Sequence, residues 1–259
     1  MDLRQHGYAK AEDGTSLAYQ RNGTGRPLVL LAGQANNHTW WDRARADFSG
    51  STITMDYRGT GASDKPDLPY STKGFADDVI AVLDELRIDQ ADVYGTSMGG
   101  RVAQWLAVSH PHRVRRLVLG CTSPGGKHGI ERTNEVRRAL ARTDSRDVLA
   151  DMMYTPAWRA ENPGPYQVLG DPGMPPHAAR GHLVASNSHD AWDVLPRITA
   201  PTLILHGADD VLTPAANVPL LAHRIQQART HIFPGARHAY FDECRPLAST
   251  LVEEFFAMP

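Results

Sequence analysis

Six short runs, at 27–32, 52–55, 91–94, 114–120, 202–206 and 230–233, are nearly continuous in apolar residues, and longer helical or turn-rich stretches separate them. Strands buried on both faces have this composition, and strands that alternate with helices pair in parallel. The pattern therefore restricts the chain to an α/β fold, a mostly parallel sheet with helices on both faces. Two earlier segments, 7–11 and 16–21, flank Asp13-Gly14 and read as an antiparallel hairpin at the sheet edge, which brings the sheet to eight strands. Helical periodicity is clearest over 72–86, where Phe75, Val79, Val82, Leu83 and Leu86 share one face, and over 98–109; a helix at 247–256 closes the chain.

The rhythm breaks between Ser123 and Pro196, a stretch without a strand signal but with amphipathic or polar helical segments at 130–142 and 146–153. Within it, 156–176 is crowded with proline and carries Gly164, Gly170 and Gly173, so it reads as loop and, functionally, as a lid over a pocket. The expected organisation is one α/β core built from 1–123 and 196–259, with an inserted helical cap at 124–195. A length of 259 residues suits one large domain with an insertion.

Charge narrows the partners. A formal net charge of −2 supplies no strong positive field, so nucleic acid is not an expected partner. Cys121 and Cys244 stand far apart with no CxxC and no zinc-type spacing, which gives no disulfide framework and no structural metal. The N-terminal segment lacks the apolar stretch of a signal peptide, and no apolar run approaches the roughly 18 to 20 residues of a membrane span. A cytoplasmic protein that meets a small molecule and no membrane is expected.

The chemistry is concentrated at Gly95-Thr96-Ser97-Met98-Gly99-Gly100, a G-x-S-x-G pattern between a strand and a helix. A nucleophile on so tight a turn leaves no room for side chains two positions before or after it, and the helix N-terminus behind it favours developing negative charge. A serine hydroxyl needs a histidine base, and that histidine needs a carboxylate to fix its tautomer and stabilise its cation. Asp209 and Asp210 follow the late strand at 202–206, and His238 lies in the loop past the last strand. His206, at the strand end beside the acid loop, reads as structural.

With these residues in order the chain resembles the α/β-hydrolases over nearly its whole length. Within them it is most similar to the 3-oxoadipate enol-lactonase and bromoperoxidase-like serine hydrolases, through Ser97-Met98-Gly99-Gly100, Gln104-Trp105-Leu106 and Arg115-Arg116-Leu117-Val118-Leu119. The resemblance implies Ser97, Asp210 and His238 as catalytic residues. It selects Asp210 over Asp209 because the family's acid stands between a strand-end glycine and a proline, as Asp210 does between Gly207 and Pro214. An acid position used by some members after the sixth strand holds Cys121-Thr122-Ser123 here.

The tetrahedral oxyanion of acyl transfer needs two N–H donors. The Met98 backbone N–H is one; the resemblance implies a second after the strand at 27–32, where relatives carry His-Gly-x and this chain has Ala32-Gly33-Gln34, so Gln34 is assigned with Ala35 as the alternative. Trp40 and Trp41 suit either the pocket mouth or a packing face, and Asp56 to Ser63 reads as loop architecture. Trp158, Tyr166, His182 and Trp192, with Met152 and Met153, are candidate substrate contacts from the cap.

The expected activity is hydrolysis of a carboxylic ester or lactone through an acyl-enzyme on Ser97, with no cofactor and no metal. Serine in place of aspartate disfavours dehalogenase and epoxide hydrolase chemistry. Ala239-Tyr240 after His238 departs from the tryptophan usual in C–C bond hydrolases, which remain an alternative. A non-catalytic small-molecule-binding protein on the same scaffold is the other.

Overall fold

The chain opens with a hairpin of β1 (Gln5–Lys10) and β2 (Ser16–Asn22), continues through β3 (Pro27–Leu31) and β4 (Ser51–Met55), and then begins to alternate strands with helices. Helix α1 (Thr72–Glu85) leads to β5 (Ala91–Thr96), α2 (Met98–Ser109) and β6 (Val114–Gly120). After a long insertion come β7 (Thr202–Gly207) and β8 (Arg229–Phe233). This computed structural model describes residues 5–142 and 145–259. The N-terminal residues 1–4, part of the segment read above for a signal peptide, lie outside the described residues.

The eight strands form one sheet in the order β1-β2-β4-β3-β5-β6-β7-β8. β2 pairs antiparallel with β1 and β4, and every pairing beyond β4 is parallel. Each strand expected from the sequence is present, with ends shifted by no more than two residues. Every residue of β4, β5 and β7 is buried. Successive side chains point to opposite faces, so both faces of these strands are covered. Helix α1 starts where the Ser71 hydroxyl accepts the Gly74 N–H and buries Phe75, Val79, Val82 and Leu83, the stripe its spacing predicts.

Between β6 and β7 the described residues hold α3 (Asn134–Leu140), α4 (Ser145–Met153), α5 (Pro156–Glu161) and α6 (Pro176–Asn187), and a single bridge between Gly125 and Asp190 joins the ends of the excursion. The helix expected over 130–142 begins later, because the Asn217 side chain binds both the N–H and the carbonyl of Ile130 (2.8 Å each) and keeps it out of the helix. The stretch expected as loop opens with α5, started by Thr155 as cap and Pro156 in its first turn, and is irregular from there to α6. After β7 come α7 (Asn217–Arg224), α8 (Tyr240–Glu243) and α9 (Leu247–Ala257). No helix among the described residues is long and apolar enough to cross a membrane.

Helix α6 is fastened to the core by a neutral histidine. His182 donates from Nε2 to the Arg58 carbonyl (2.9 Å), accepts the Ala35 N–H on Nδ1 (3.3 Å), and is enclosed by the rings of Tyr57, Tyr70 and Phe75. Burial, only partly offset by the Arg58 carbonyl, lowers its pKa to about 4. His189 follows α6, buried between Thr72 Oγ1 (2.9 Å) and Gln104 Oε1 (3.3 Å), and burial with the nearby Arg101 charge lowers its pKa too. An unfolded imidazole titrates near 6.5. The unfolded chain therefore binds more protons between about pH 6.5 and 4, and stability is full above that window and lost as pH falls through it. Urea midpoints should fall across this window, with His182 contributing about 3 kcal/mol. His182→Gln should show a lower midpoint at pH 7 and a shallower pH dependence; an unchanged slope would contradict the assignment.

Candidate active site

β5 runs directly into α2 at Ser97, whose backbone stands at φ 56°, ψ −123°. A non-glycine residue holds such a conformation at a cost of order 1–3 kcal/mol, so the surroundings must impose it. They do so through backbone bonds: the Ser97 N–H donates to the Gly120 carbonyl (2.9 Å), while the Ser97 carbonyl accepts the Gly100 N–H (3.1 Å) and the Thr122 hydroxyl (2.8 Å). A Cβ on Gly95 would strike the Gly99 carbonyl, and one on Gly99 would strike the carbonyls of Leu31 and Ala32. The glycines on either side of Ser97 thus let α2 begin in contact with β5 and the end of β3.

Asp210 sits in the turn after β7, buried, whereas Asp209 is exposed. Its Oδ1 accepts the N–H groups of Leu212 (2.8 Å) and Thr213 (2.9 Å), and its Oδ2 lies 2.7 Å from His238 Nδ1 and 3.3 Å from His206 Nε2. Burial alone would raise its pKa; the charge of His238 and the hydrogen bonds of His206 and His238 outweigh it and hold the carboxyl well below the usual range. An ionised carboxylate only accepts, so His238 Nδ1 carries the proton and the lone pair is left on Nε2. The loops bearing acid and base are tied together by the Asp209 N–H on the Ala236 carbonyl (2.9 Å).

Ser97 and His238 line one cavity of about 220 Å³, together with Gln34 and Met98. Neither the Gln34 nor the Met98 N–H has a hydrogen-bond acceptor among the described residues. The Gly33 carbonyl accepts the Asn36 N–H (3.3 Å), which directs the Gln34 N–H of that trans peptide the opposite way. The Ala35 N–H, the alternative donor, is occupied by His182.

The remaining lining departs from expectation. Met153 reaches the cavity, but Trp158, Tyr166, His182 and Trp192 do not line it, and neither does Met152. Trp158 and Tyr166 pack with Tyr154, and Arg43 lies over Trp158. Trp192 is sandwiched by His128 and Arg224. His182 spends both nitrogens on the backbone. These side chains pair with their own neighbours because aromatic surface next to Arg or another ring is already covered. The two adjacent tryptophans divide: Trp40 lines the cavity and donates from Nε1 to Thr96 Oγ1 (2.9 Å), while Trp41 is fully buried against Tyr94 and Phe241. Asp56 holds loop structure, accepting from the His38 N–H (2.8 Å) and the Ala62 N–H (2.9 Å).

Two arginines were missed. Arg101, on α2, donates to Ser186 and to Ser123 Oγ (2.9 Å), linking the helix behind Ser97 to α6. A charged residue on the buried face of an apolar helix was its available signal. Arg132 also lines the cavity, half-buried, and no hydrogen bond or ion pair engages it among the described residues. Nothing in its sequence neighbourhood marks it. A larger open groove of about 990 Å³ runs past Asp13, Arg58 and Asp78, but there Arg58 is already paired with both aspartates. No group of three or more potential metal ligands exists among the described residues.

The alpha/beta hydrolase fold family matches residues 26–243. The chain belongs to the α/β-hydrolase family. This α/β-hydrolase is 32% identical to the 2-hydroxymuconate semialdehyde hydrolase of Pseudomonas sp. (strain CF600), over 91% of this chain and 88% of that one. It is 31% identical to 3-oxoadipate enol-lactonase 2 of Acinetobacter baylyi (strain ATCC 33305 / BD413 / ADP1), covering 77% and 78%. Among solved structures it is similar to a hydrolase from Pseudomonas aeruginosa PA01, with a TM-score of 0.84 at 28% identity over 98% and 99% of the two chains.

The contact of Gly99 with two backbone carbonyls yields a stability test. Gly99→Ala should cost about 3 kcal/mol, because backbone cannot yield as a side-chain tip can. Urea unfolding would measure this, and a loss below about 0.5 kcal/mol would mean that the elbow tolerates a side chain there.

Proposed function

We propose that this hydrolase cleaves carboxylic esters or lactones through an acyl-enzyme on Ser97. The observation that carries the reading is the pairing of Asp210 with His238 at 2.7 Å, in a cavity shared by His238, Ser97 and two unengaged backbone N–H groups. His238 Nε2 takes the Ser97 proton as the hydroxyl oxygen attacks the carbonyl carbon. The oxyanion is received by the Gln34 and Met98 N–H groups, and Asp210 stabilises the imidazolium. His238 returns the proton to the leaving oxygen, then activates the water that releases the acid. No step calls on a cofactor or metal. The segment between β6 and β7 serves as a cap that encloses the acyl group: Leu140, Leu149, Met153 and Val168 give the cavity an apolar wall.

The unengaged Arg132 in that cavity favours a substrate with a carboxylate besides the scissile carbonyl, since a guanidinium out of bulk water gains most from a bidentate anion. Both relatives are named for carboxylic acid compounds, a hydroxymuconate semialdehyde and an oxoadipate enol-lactone. The semialdehyde hydrolase relative also supports a second reading, C–C bond hydrolysis, because a hydroxymuconate semialdehyde holds no ester or lactone bond to cleave. A binding protein would protect a ligand without releasing product.

Release of p-nitrophenol from short-chain acyl esters tests the main reading. Wild type should turn over, and folded Ser97→Ala should lose at least about 1,000-fold. Equal rates in the two proteins would refute Ser97 as nucleophile, and no turnover by folded wild type on esters or lactones would favour the alternatives. For Arg132→Leu, kcat/KM on a hemi-ester of a dicarboxylic acid should fall about 10- to 100-fold relative to a neutral ester of equal length. An unchanged ratio would remove the carboxylate from the substrate class.

A further inference from the structure

His206 is the next-to-last residue of β7, with its ring close to the acid. It is fully buried, and its Nε2 lies 2.7 Å from the Thr213 carbonyl and 3.3 Å from Asp210 Oδ2. A carbonyl oxygen can only accept, so Nε2 carries the proton and donates it to Thr213, with Asp210 Oδ2 beside that bond at 3.3 Å. Nδ1 is then a bare acceptor, buried with no hydrogen-bond partner. A desolvated, unpaired nitrogen destabilises the fold, and a leucine would fill the space without it. The compensating gain lies at Nε2.

We infer that His206 is a positioning residue for Asp210, an inference that rests on the serine-hydrolase reading. Oδ1 is fixed by two backbone N–H groups and Oδ2 by His238, while the His206 N–H stands 3.3 Å from Oδ2 and holds the carbonyl of Thr213, whose own N–H is on Oδ1. Without His206 the loop loses the link from Thr213 back to β7, and the carboxylate keeps only the His238 contact on Oδ2. The N–H of His206 also draws charge from Oδ2, so its removal concentrates negative charge on the His238 hydrogen bond. The other titratable or charged groups facing Asp210 are the Cys121 thiol at the end of β6 and Arg132 from the segment between β6 and β7, and neither is hydrogen-bonded to it.

Three variants test this. His206→Leu removes the donor, His206→Gln returns an N–H near the Nε2 position, and His206→Asn places one too close to the backbone to reach. Folding is checked by urea midpoint, activity with p-nitrophenyl butyrate, and the His238–Asp210 contact by the strongly deshielded proton of its Nδ1–H in the NMR spectrum. Expected for His206→Leu and His206→Asn are a kcat lower by about tenfold, a KM within about twofold, an acid limb of kcat/KM moved to higher pH and a shifted Nδ1–H resonance. His206→Gln should recover most of each. Wild-type kcat, acid limb and resonance in His206→Leu would overturn the inference, as would equal losses in Gln and Asn variants. If His206→Leu does not fold, the Gln and Asn pair decides. If wild type itself fails to hydrolyse, the hydrolase reading falls, and the resonance alone decides whether His206 positions Asp210.

Discussion

The distance at which α2 begins from the sheet governs the whole molecule. Gly99 lies against the carbonyls of Leu31 and Ala32, and Gly95 against the carbonyl of Gly99, so three chain segments meet where no side chain fits. Ser97 is left at φ 56° with its hydroxyl side toward a cavity, and the next N–H, that of Met98, has no helical acceptor. The same approach brings the loop after β3, and with it Gln34, to the other wall. The backbone strain at Ser97 is offset by burial of the parallel strands on either side, whose register does not depend on that one residue.

A charged carboxylate buried behind this turn imposes the second set of constraints. Asp210 is stable as an anion because three donors bond it, two N–H groups of its own loop and His238, and the His206 N–H stands 3.3 Å away. Burial of polar groups then continues into the segment between β6 and β7. Arg101 reaches Ser186 and Ser123, and His182 and His189 each bond across to the core. That segment is thus held over the cavity by directional bonds as well as apolar contact, and its stability is tied to pH.

The sheet was legible because strands buried on both faces cannot hide their composition, and the elbow because its steric demand falls on glycines that can be counted along the chain. The order of those elements pointed to Ser97, His238 and either Asp209 or Asp210, the family resemblance selected Asp210, and Asp210 and His238 meet where strand ends bring them. Side-chain neighbours across the insertion were not legible. Trp158 and Tyr166 were expected at the pocket and instead pack with Tyr154, a choice set by how α4 and α5 meet. The start of α3 depends on Asn217, distant in sequence, and Arg132 reaches the cavity through loop geometry that leaves no periodic mark.

The proposed mechanism requires that Ser97 become covalently acylated. The most direct measurement is mass spectrometry of protein quenched in acid during turnover of a slowly deacylating ester, with the digest mapped to the Ser97 peptide. A mass increase equal to the acyl group is expected on Ser97, present in wild type and missing from Ser97→Ala. Product formation with no acyl adduct on Ser97, or the same adduct in both proteins, would contradict it.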